Sequence, residues 1–338
     1  MFCSKFAKCL VPALLILPII AFSQPKKVKT ADMPTGSIEV FRPEMKKLFS
    51  VDARAEVIAK GFKWAEGPVW VPGKKMLLFS DVPNNKVYQW TAAKGQALYL
   101  EPSGYLGTAP RAGEKGSNGL ALTNDGRLLL CQDGERVLAV MDAPINAPKA
   151  KFKVLAKGYQ DKRFDSPNDL AVAKNGDIYF TDPPYGLVEG IKKDAPYQGV
   201  YRVSKNGVVT LLVDSISRPN GIALFPYGRS LIIANSDTNK PFWYKYDIDK
   251  NGKLTNGHVF YDGRAEFKKA PRSSDGVKID PAGHVYATGP GGVWVFDSKG
   301  VPLGRVKINI DTSNCEIAYN TKEMFITAGN YVLKIKML

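Results

Sequence analysis

The sequence has little histidine and lacks the short motifs that mark several large classes of enzyme. Only two histidines occur in 338 residues, and there is no HExxH, CxxC or GxSxG segment. These absences argue against a metalloprotease-type zinc site, a redox-active cysteine pair and a serine nucleophile elbow. There is also no glycine-rich motif of the kind that cradles phosphate. The side chains that remain for proton transfer are carboxylates.

Cysteine is scarce as well. Cys3 and Cys9 lie in an N-terminal segment that we expect to be removed, which leaves Cys131 and Cys315. These two belong to the second and sixth units of a repeat, and such units are not neighbours in a closed ring of six. We therefore predict two free, buried thiols and no disulfide.

A long apolar run occurs only at the N-terminus. Lys5 and Lys8 precede an apolar stretch over residues 10–22, which ends in small residues. This pattern predicts a secretory signal peptide over residues 1–23. A retained membrane anchor is the alternative, but about 13 apolar residues interrupted by two prolines fall short of the roughly 20 that span a bilayer. We expect an exported protein, periplasmic or extracellular, without a stable membrane anchor.

Acidic residues are fewer than basic ones. The chain has 47 Lys and Arg against 32 Asp and Glu, a formal charge of +15, which becomes +13 without the two lysines of the signal segment. The basic residues are dispersed, and an exported protein rarely meets nucleic acid. We interpret the charge as a solvated surface and expect no nucleic-acid partner.

The part of the chain after the signal divides into a leader and one domain. Residues 24–54 carry the segment QPKKVKT and several prolines, which favour an extended leader or linker. Residues 55–338 are sufficient for a single all-β domain with a substantial core.

A repeat runs through this domain. A polar residue followed by alternating apolar positions recurs at intervals of 52, 50, 52, 55 and 40 residues. A period near 50 with short strands is typical of a β-propeller, in which each blade buries its faces against its neighbours. The repeats start at Glu66, Asn118, Asn168, Asn220, Asp275 and Cys315.

Each start is followed by a turn and a second strand, and a third strand is visible in all six repeats. Fourth strands are visible in most repeats, but the chain ends before the last repeat can form its own. The segment EVIAKGF at residues 56–62 resembles the fourth strand KVLAKGY at residues 153–159. We predict a six-bladed propeller of four-stranded blades, with the N-terminal strand closing the last blade and leaving no open ring edge.

The starts of the innermost strands share one mouth of such a ring with the loops that follow the second strands. Asp182 and Tyr185 lie in the longest of these loops, residues 182–198, which we expect to form a wall of the substrate site. His284 falls in a turn at the opposite mouth and His258 in an outer strand. A histidine base is therefore not expected, and Asp275 of the inner ring is the better candidate for the proton acceptor.

The polar starts offer only oxygen ligands. One Glu, one Asp and two or three Asn side chains suit a hard divalent cation such as calcium or magnesium, whereas zinc prefers His and Cys. The alternative is that these residues only satisfy backbone groups in turns at strand entries, as Asn and Asp often do.

The chain resembles the gluconolactonase and senescence-marker-protein family of six-bladed propellers, which includes regucalcin-type lactonases and a calcium-dependent fluorophosphatase. The resemblance runs from about Glu56 to the C-terminus. The segments that carry it are AEGPVW, LLFSDVPNNKVYQW, KRFDSPNDLAV, DIYFTDPPYGL, RPNGIAL, SDGVKID and YATGPGGVWVFD.

This resemblance implies one catalytic divalent cation, most readily calcium, with magnesium, manganese or zinc as alternatives. The implied ligands are Glu66, Asn168, Asn220 and Asp275, with Asp275 also acting as acid and base. The resemblance places Asn118 near the pocket without making it a ligand, and it suggests that Arg163 contacts the substrate.

The leading hypothesis is a metal-dependent hydrolase that opens a sugar-derived lactone to the aldonic acid. An esterase or phosphotriesterase on the same site is an alternative, because a metal can polarise a phosphoryl oxygen equally well. An exported binding propeller without catalysis is a further alternative, although a pure binding pocket is usually more apolar. Basic loops bearing Arg111, Arg163 and Arg272 permit an acidic or phosphorylated lactone.

Overall fold

The computed structural model describes residues 33–270 and 274–338, which are built almost entirely from β-strands. The predicted signal peptide and Arg272 lie outside the described residues. Within the described chain there is one α-helix, α1 (Arg264–Lys269), and there are short 3-10 helices at Pro43–Lys47, Pro72–Lys74 and Pro226–Gly228. No helix in the described ranges is long and apolar enough to cross a membrane.

Most strands follow one another as antiparallel hairpins. In chain order they are β1 (Gly36–Val40), β2 (Arg54–Lys60), β3 (Ala65–Val71), β4 (Met76–Asp81), β5 (Lys86–Thr91), β6 (Gly95–Leu100), β7 (Ser117–Leu122), β8 (Leu128–Gln132), β9 (Val137–Met141), β10 (Phe152–Ala156), β11 (Gly158–Tyr159), β12 (Lys162–Arg163), β13 (Leu170–Val172), β14 (Ile178–Asp182), β15 (Gly199–Val203), β16 (Val209–Val213), β17 (Pro219–Leu224), β18 (Ser230–Asn235), β19 (Phe242–Ile248), β20 (Leu254–Asp262), β21 (Val277–Ile279), β22 (Val285–Gly289), β23 (Gly292–Phe296), β24 (Pro302–Ile308), β25 (Asn314–Ala318), β26 (Glu323–Ala328) and β27 (Tyr331–Lys336). Long loops follow β6 and β14.

The sheets are antiparallel and mostly four-stranded. Four of them have the orders β3-β4-β5-β6, β7-β8-β9-β10, β13-β14-β15-β16 and β17-β18-β19-β20. A nine-stranded sheet has the order β21-β22-β23-β24-β1-β2-β27-β26-β25, so it contains two further groups of four with β1 between them. β11 and β12 form a separate small hairpin. The described chain therefore contains six groups of four strands. Five are meanders of consecutive strands, and the sixth combines β25, β26 and β27 with β2.

The N-terminal segment takes part in this architecture. β2 pairs with β27, as the sequence predicts for the strand that completes the last group. The prediction of an extended leader is wrong for residues 34–54, which belong to one compact unit with the rest of the chain through Leu338. β1 pairs with both β2 and β24, and Met45 and Phe49 are fully buried in the core of the last two groups. The gain from burying these apolar side chains outweighs the local preference of a Lys- and Pro-rich segment for extended backbone.

The first strands of the six groups contact one another in a closed cycle, β3, β7, β13, β17, β21, β25 and back to β3. At least one hydrogen bond from each group to the next accompanies these contacts. The bonds run from Ser80 Oγ to Asn118 O (2.8 Å), Gly119 N to Asn168 O (2.7 Å), Thr181 Oγ1 to Asn220 O (2.7 Å), Gly221 N to Asp275 O (3.1 Å), Gly276 N to Ser313 O (2.7 Å) and Ser313 Oγ to Ala65 O (2.7 Å).

Close approach of neighbouring groups explains the glycines that follow the polar repeat starts. A Cβ added at Gly119 would lie 2.6 Å from the carbonyl oxygen of Asn168, and one at Gly221 would lie 2.3 Å from that of Asp275. Side chains at these positions would therefore push the first strands apart, and glycine permits the contact.

Apolar side chains fill the space between neighbouring groups. Trp70 of the first group stacks on Phe325 of the last, with ring centroids 5.3 Å apart, in a cluster shared by the two groups. Cys131 and Cys315 are buried in two such clusters and are both free, which confirms the prediction for them. Cys315 occupies the position that carries a polar side chain in the other five repeats. The sixth repeat therefore places an apolar core residue at this position and no polar side chain.

Phe49 provides a test of how firmly the N-terminal segment is packed. Replacing it by alanine should lower the free energy of unfolding by about 3–5 kcal/mol, because the fully buried ring leaves a cavity. Val51, which is 46% exposed in the same segment, is the matched control, and Val51→Ala should change stability by no more than about 0.5 kcal/mol. Urea denaturation measures both, and equal stability of Phe49→Ala and the wild type would contradict the packing.

Candidate functional site

A polar cavity of about 190 Å³ lies where the first strands begin. It brings together residues from five of the six groups and from the loops before and after their inner strands. The lining residues are Trp64, Glu66, Glu114, Asn118, Asn168, Tyr185, Arg218, Asn220, Ser236 and Asp275. All four predicted metal ligands are among them, as are two of the residues predicted to bind substrate, Asn118 and Tyr185.

Glu66 is held at the cavity by its own strand. Its side chain is 3% exposed and accepts hydrogen bonds from the Gly67 backbone N–H (3.0 Å) and the Trp64 indole N–H (3.3 Å). Because each carboxylate oxygen has one of these donors, the rotamer of Glu66 is fixed before any ligand binds.

Asn220 is oriented by Ser236. The Ser236 hydroxyl donates its single proton to the Ser274 carbonyl at 2.5 Å, so its oxygen can only accept from Asn220. The Asn220 amide nitrogen donates to that oxygen at 2.9 Å. The carbonyl oxygen of the Asn220 side chain is therefore the atom left to accept from a donor or to bind a cation.

Asn118 and Asn168 are fixed through their backbones. The Asn118 carbonyl accepts from Ser80, while Asn168 donates its N–H to Thr181 O (2.8 Å) and accepts from Gly119 N (2.7 Å). Main-chain groups thus hold the two residues in the ring, and both side chains line the cavity.

Glu66 and Asp275 form an acidic pair in this cavity. Burial raises the pKa of both carboxyl groups, and the negative charge of Glu66 raises that of Asp275 further. Asn220 acts in the other direction by hydrogen bonding to Asp275. Two carboxylates that repel each other at one cavity would both be stabilised in their charged form by a cation.

The donor set fits a hard divalent cation through oxygen atoms. Glu66 and Asp275 supply carboxylates, and Asn168 and Asn220 supply amide oxygens, the ligand types that calcium and magnesium prefer. Within the described ranges no three His, Cys, Asp or Glu side chains are grouped as a metal site, so the set depends on its amides. Neither histidine lines the cavity. His284 bonds to Asp280 (2.7 Å), and His258 is on the exposed strand β20.

Arg163 and Asp182 do not line the cavity, although the sequence suggests both for substrate binding. Arg163 is exposed at the small hairpin of β11 and β12, where its guanidinium donates to Glu135 O (3.0 Å). Asp182 is buried and accepts from the backbone N–H groups of Asp165 (2.9 Å) and Ser166 (2.8 Å). It holds together the turn before β13, so its side chain is committed to the backbone.

The loop arginine Arg111 is also committed to backbone. Its guanidinium donates to Gly134 O (3.0 Å) and Gly186 O (2.5 Å), and so connects three loops at this mouth of the ring. Of the three arginines that could attract an acidic substrate, Arg111 and Arg163 do not line the cavity.

Four lining residues were not predicted from the sequence as site residues: Trp64, Glu114, Arg218 and Ser236. Two signals in the sequence could have identified three of them. Trp64 and Arg218 each lie two residues before a repeat start, Glu66 and Asn220 respectively. Ser236 directly follows β18, the second strand of its group, and so lies at the same mouth as the loop after β14. Glu114 lies within a long irregular loop, where no periodicity indicates which side chains face inward.

Comparisons with known proteins identify the family of this chain. The family model described as "SMP-30/Gluconolactonase/LRE-like region" matches residues 64–330. A gluconolactonase from Zymomonas mobilis subsp. mobilis is 36% identical over 310 residues, which cover 89% of this chain and 86% of that protein.

Solved structures show the same similarity. A gluconolactonase from Xanthomonas campestris superposes with a TM-score of 0.77 at 26% identity, covering 89% of this chain and 95% of that one. A calcium-binding protein, regucalcin, from Agrobacterium tumefaciens superposes with a TM-score of 0.65 at 18% identity, covering 83% and 92%, and supports the fold alone. The family model spans most of the chain, which therefore belongs to the SMP-30/gluconolactonase/LRE-like family.

Proposed function

We propose that the protein is a divalent-metal-dependent lactonase on a six-bladed β-propeller. Each group of four strands is one blade, and the closed cycle of first strands is the wall of the central channel. The observation that carries the functional proposal is the convergence of Glu66, Asn168, Asn220 and Asp275 on one polar cavity. Relatives named gluconolactonase and pentonolactonase support a sugar-derived lactone as substrate and an aldonic acid as product.

The cation that suits these ligands is calcium, with magnesium, manganese or zinc as alternatives. Carboxylate and amide oxygens without nitrogen or sulfur favour calcium over zinc. Bound there, it would polarise the lactone carbonyl and stabilise negative charge that develops on its oxygen. Glu66, Asn168, Asn220 and Asp275 would hold it.

Asp275 is the residue that we assign to proton transfer. Glu66 has both oxygens engaged by Trp64 and Gly67, so its carboxylate is fixed as a ligand. Asp275 belongs to the inner ring, and its carboxylate has no such pair of donors within the described chain; burial and the charge of Glu66 raise the pKa of this group in the cation-free site. Asp275 would take a proton from the attacking water and return it to the ring oxygen that leaves.

We also propose that residues 1–23 are a signal peptide and that the mature protein is exported. The basic start, the short apolar stretch and the small residues at its end support this. A lactonase outside the cytoplasm would act on lactones formed or encountered there.

Exchange of Asp275 for Asn should lower kcat by at least about 100-fold, because the neutral amide cannot accept the proton. A pH-indicator assay on D-glucono-1,5-lactone, corrected for spontaneous hydrolysis, measures this. The fold of Asp275→Asn should be intact. In chelator its melting temperature should be no lower than that of the wild type, because the variant no longer has the negative charge of Asp275 next to that of Glu66. Wild-type turnover should disappear in chelator and return with calcium. Full activity of Asp275→Asn, or of the chelated enzyme, would refute the mechanism.

The Ser236 hydroxyl offers a separate test of the ligand set. Ser236→Ala removes the acceptor that orients the Asn220 amide, so calcium affinity should fall about 10-fold, as is typical when a partner of a metal ligand is removed. Ser236→Thr keeps the hydroxyl and should retain most of the affinity. Isothermal titration with calcium measures both, with Asn220→Leu as the reference for loss of the ligand itself. Equal affinity of Ser236→Ala and the wild type would refute the orienting role of Ser236, and equal affinity of Asn220→Leu would remove Asn220 from the ligand set.

A further inference from the structure

Glu114 is a carboxylate at the cavity that the proposed cation site does not use. It lies on the loop between β6 and β7, and its Oε2 atom is buried without a hydrogen-bond partner among the described residues. Burial raises the pKa of its carboxyl group. A buried polar atom without a hydrogen-bond partner lowers the stability of the folded protein. Its presence at a binding cavity therefore indicates that the bound ligand supplies the partner.

Tyr185 presents a second group of this kind. It comes from a different loop, between β14 and β15, and lines the same cavity. Its hydroxyl is buried and makes no hydrogen bond of good geometry within the described chain, although the Ser236 hydroxyl lies close enough to lower the pKa of Tyr185 against the effect of burial. A carboxylate oxygen accepts a hydrogen bond and a phenol can donate or accept one, so the pair complements the hydroxyl groups of a polyol.

The charges around the cavity disfavour an anionic substrate. Three carboxyl groups, those of Glu66, Glu114 and Asp275, line the cavity, and one proposed divalent cation offsets two negative charges. The buried Lys278 interacts with Glu66, but Asp169 adds a further negative charge near Glu66 and Asp275, so the surroundings of the cavity are acidic. Arg218 is the cationic side chain among the lining residues, but it is exposed, and its charge already lowers the pKa of Asp237. Exposed charges are screened by water and salt, so Arg218 is a weak source of selectivity for anions.

We infer, on the basis of the lactonase function proposed above, that Glu114 and Tyr185 bind hydroxyl groups of the substrate. The enzyme then selects neutral, polyhydroxylated lactones over lactones without hydroxyls and over lactones that carry phosphate. A site built to pair with substrate hydroxyls rejects an analogue that lacks them, because its buried polar groups stay unpaired. Glu114 and Tyr185 are specificity-determining residues in this assignment, whereas Glu66 and Asp275 serve the reaction itself.

The test compares D-glucono-1,5-lactone, δ-valerolactone and 6-phosphogluconolactone as substrates of the calcium-loaded enzyme. In Glu114→Ala and Tyr185→Phe, kcat/KM for gluconolactone should fall about 10- to 100-fold, the usual effect of losing one hydrogen bond to substrate. The ratio of kcat/KM for gluconolactone to that for δ-valerolactone should fall by the same factor. Glu114→Gln, which keeps an acceptor but not the charge, should lose less on gluconolactone and gain on the phosphorylated lactone.

Glu189→Gln is the matched control, since Glu189 is an exposed acid on the loop of Tyr185 and does not line the cavity. It should behave as the wild type with all three substrates. Calcium affinity and melting temperature of each variant show whether the cation site and the fold are retained.

The outcomes separate this inference from the proposed function. A wild-type enzyme that hydrolyses no lactone would refute the lactonase assignment. A wild-type enzyme that hydrolyses gluconolactone, with variants whose substrate ratios are unchanged, would leave that assignment intact and refute the role of Glu114 and Tyr185. Preference of the wild type for 6-phosphogluconolactone over gluconolactone would also overturn the inference.

Discussion

The hydrogen bonds that pass from each four-stranded group to the next are the constraint on which the site depends. Their acceptors are the main-chain carbonyls of Asn118, Asn168, Asn220 and Asp275, and of Ser313 and Ala65. Four of these are repeat starts that line the cavity, and Ala65 directly precedes another, Glu66. The ring is therefore held by the main chain of the same residues whose side chains line the cavity. Any displacement of one group moves a functional side chain with it.

This sharing explains why glycine follows most of the polar starts. The carbonyl of a repeat start must approach the next group closely, and a Cβ at Gly119 or Gly221 would occupy that space. Asn168 is followed by Asp169 instead, whose carboxylate accepts from its neighbour Leu170 N (2.9 Å). The two residues of this repeated pair thus have different roles. The polar residue lines the cavity, and the glycine allows the next group of strands to approach closely.

The sequence could predict the parts of the structure that repeat. The spacing of Glu66, Asn118, Asn168, Asn220 and Asp275 follows from strand periodicity, and equivalent positions in a closed ring must converge. β2 could be found because EVIAKGF resembles another fourth strand. β1 and the buried Phe49 could not, since they have no counterpart in the other repeats and their stability comes from contacts distant in sequence.

Side chains in the loops could not be placed from the sequence either. Glu114 and Arg163 both lie in segments whose local sequence does not determine side-chain direction. Arg163 occurs in a segment similar to the family pattern, yet the hairpin of β11 and β12 carries it to the surface. Resemblance predicts a residue's position where the backbone is held by repeating strands. It predicts the position poorly where an irregular loop or an additional hairpin separates the residue from them.

The acidic pair at the cavity connects function with stability. Burial raises the pKa of both Glu66 and Asp275. Neighbouring carboxylates raise both further, since Asp169 and Glu114 act on Glu66, and Glu66 and Asp169 act on Asp275. The folded protein is therefore less stable when both are charged. A cation that binds only the folded state would offset this by about 2.7 kcal/mol at a concentration 100 times its Kd. The hydrogen bonds that join neighbouring groups do not depend on that cation, because their donors and acceptors lie within the chain. The strand framework can therefore form first, with its ligands oriented by Trp64, Gly67 and Ser236, and the cation then stabilises a site that already exists.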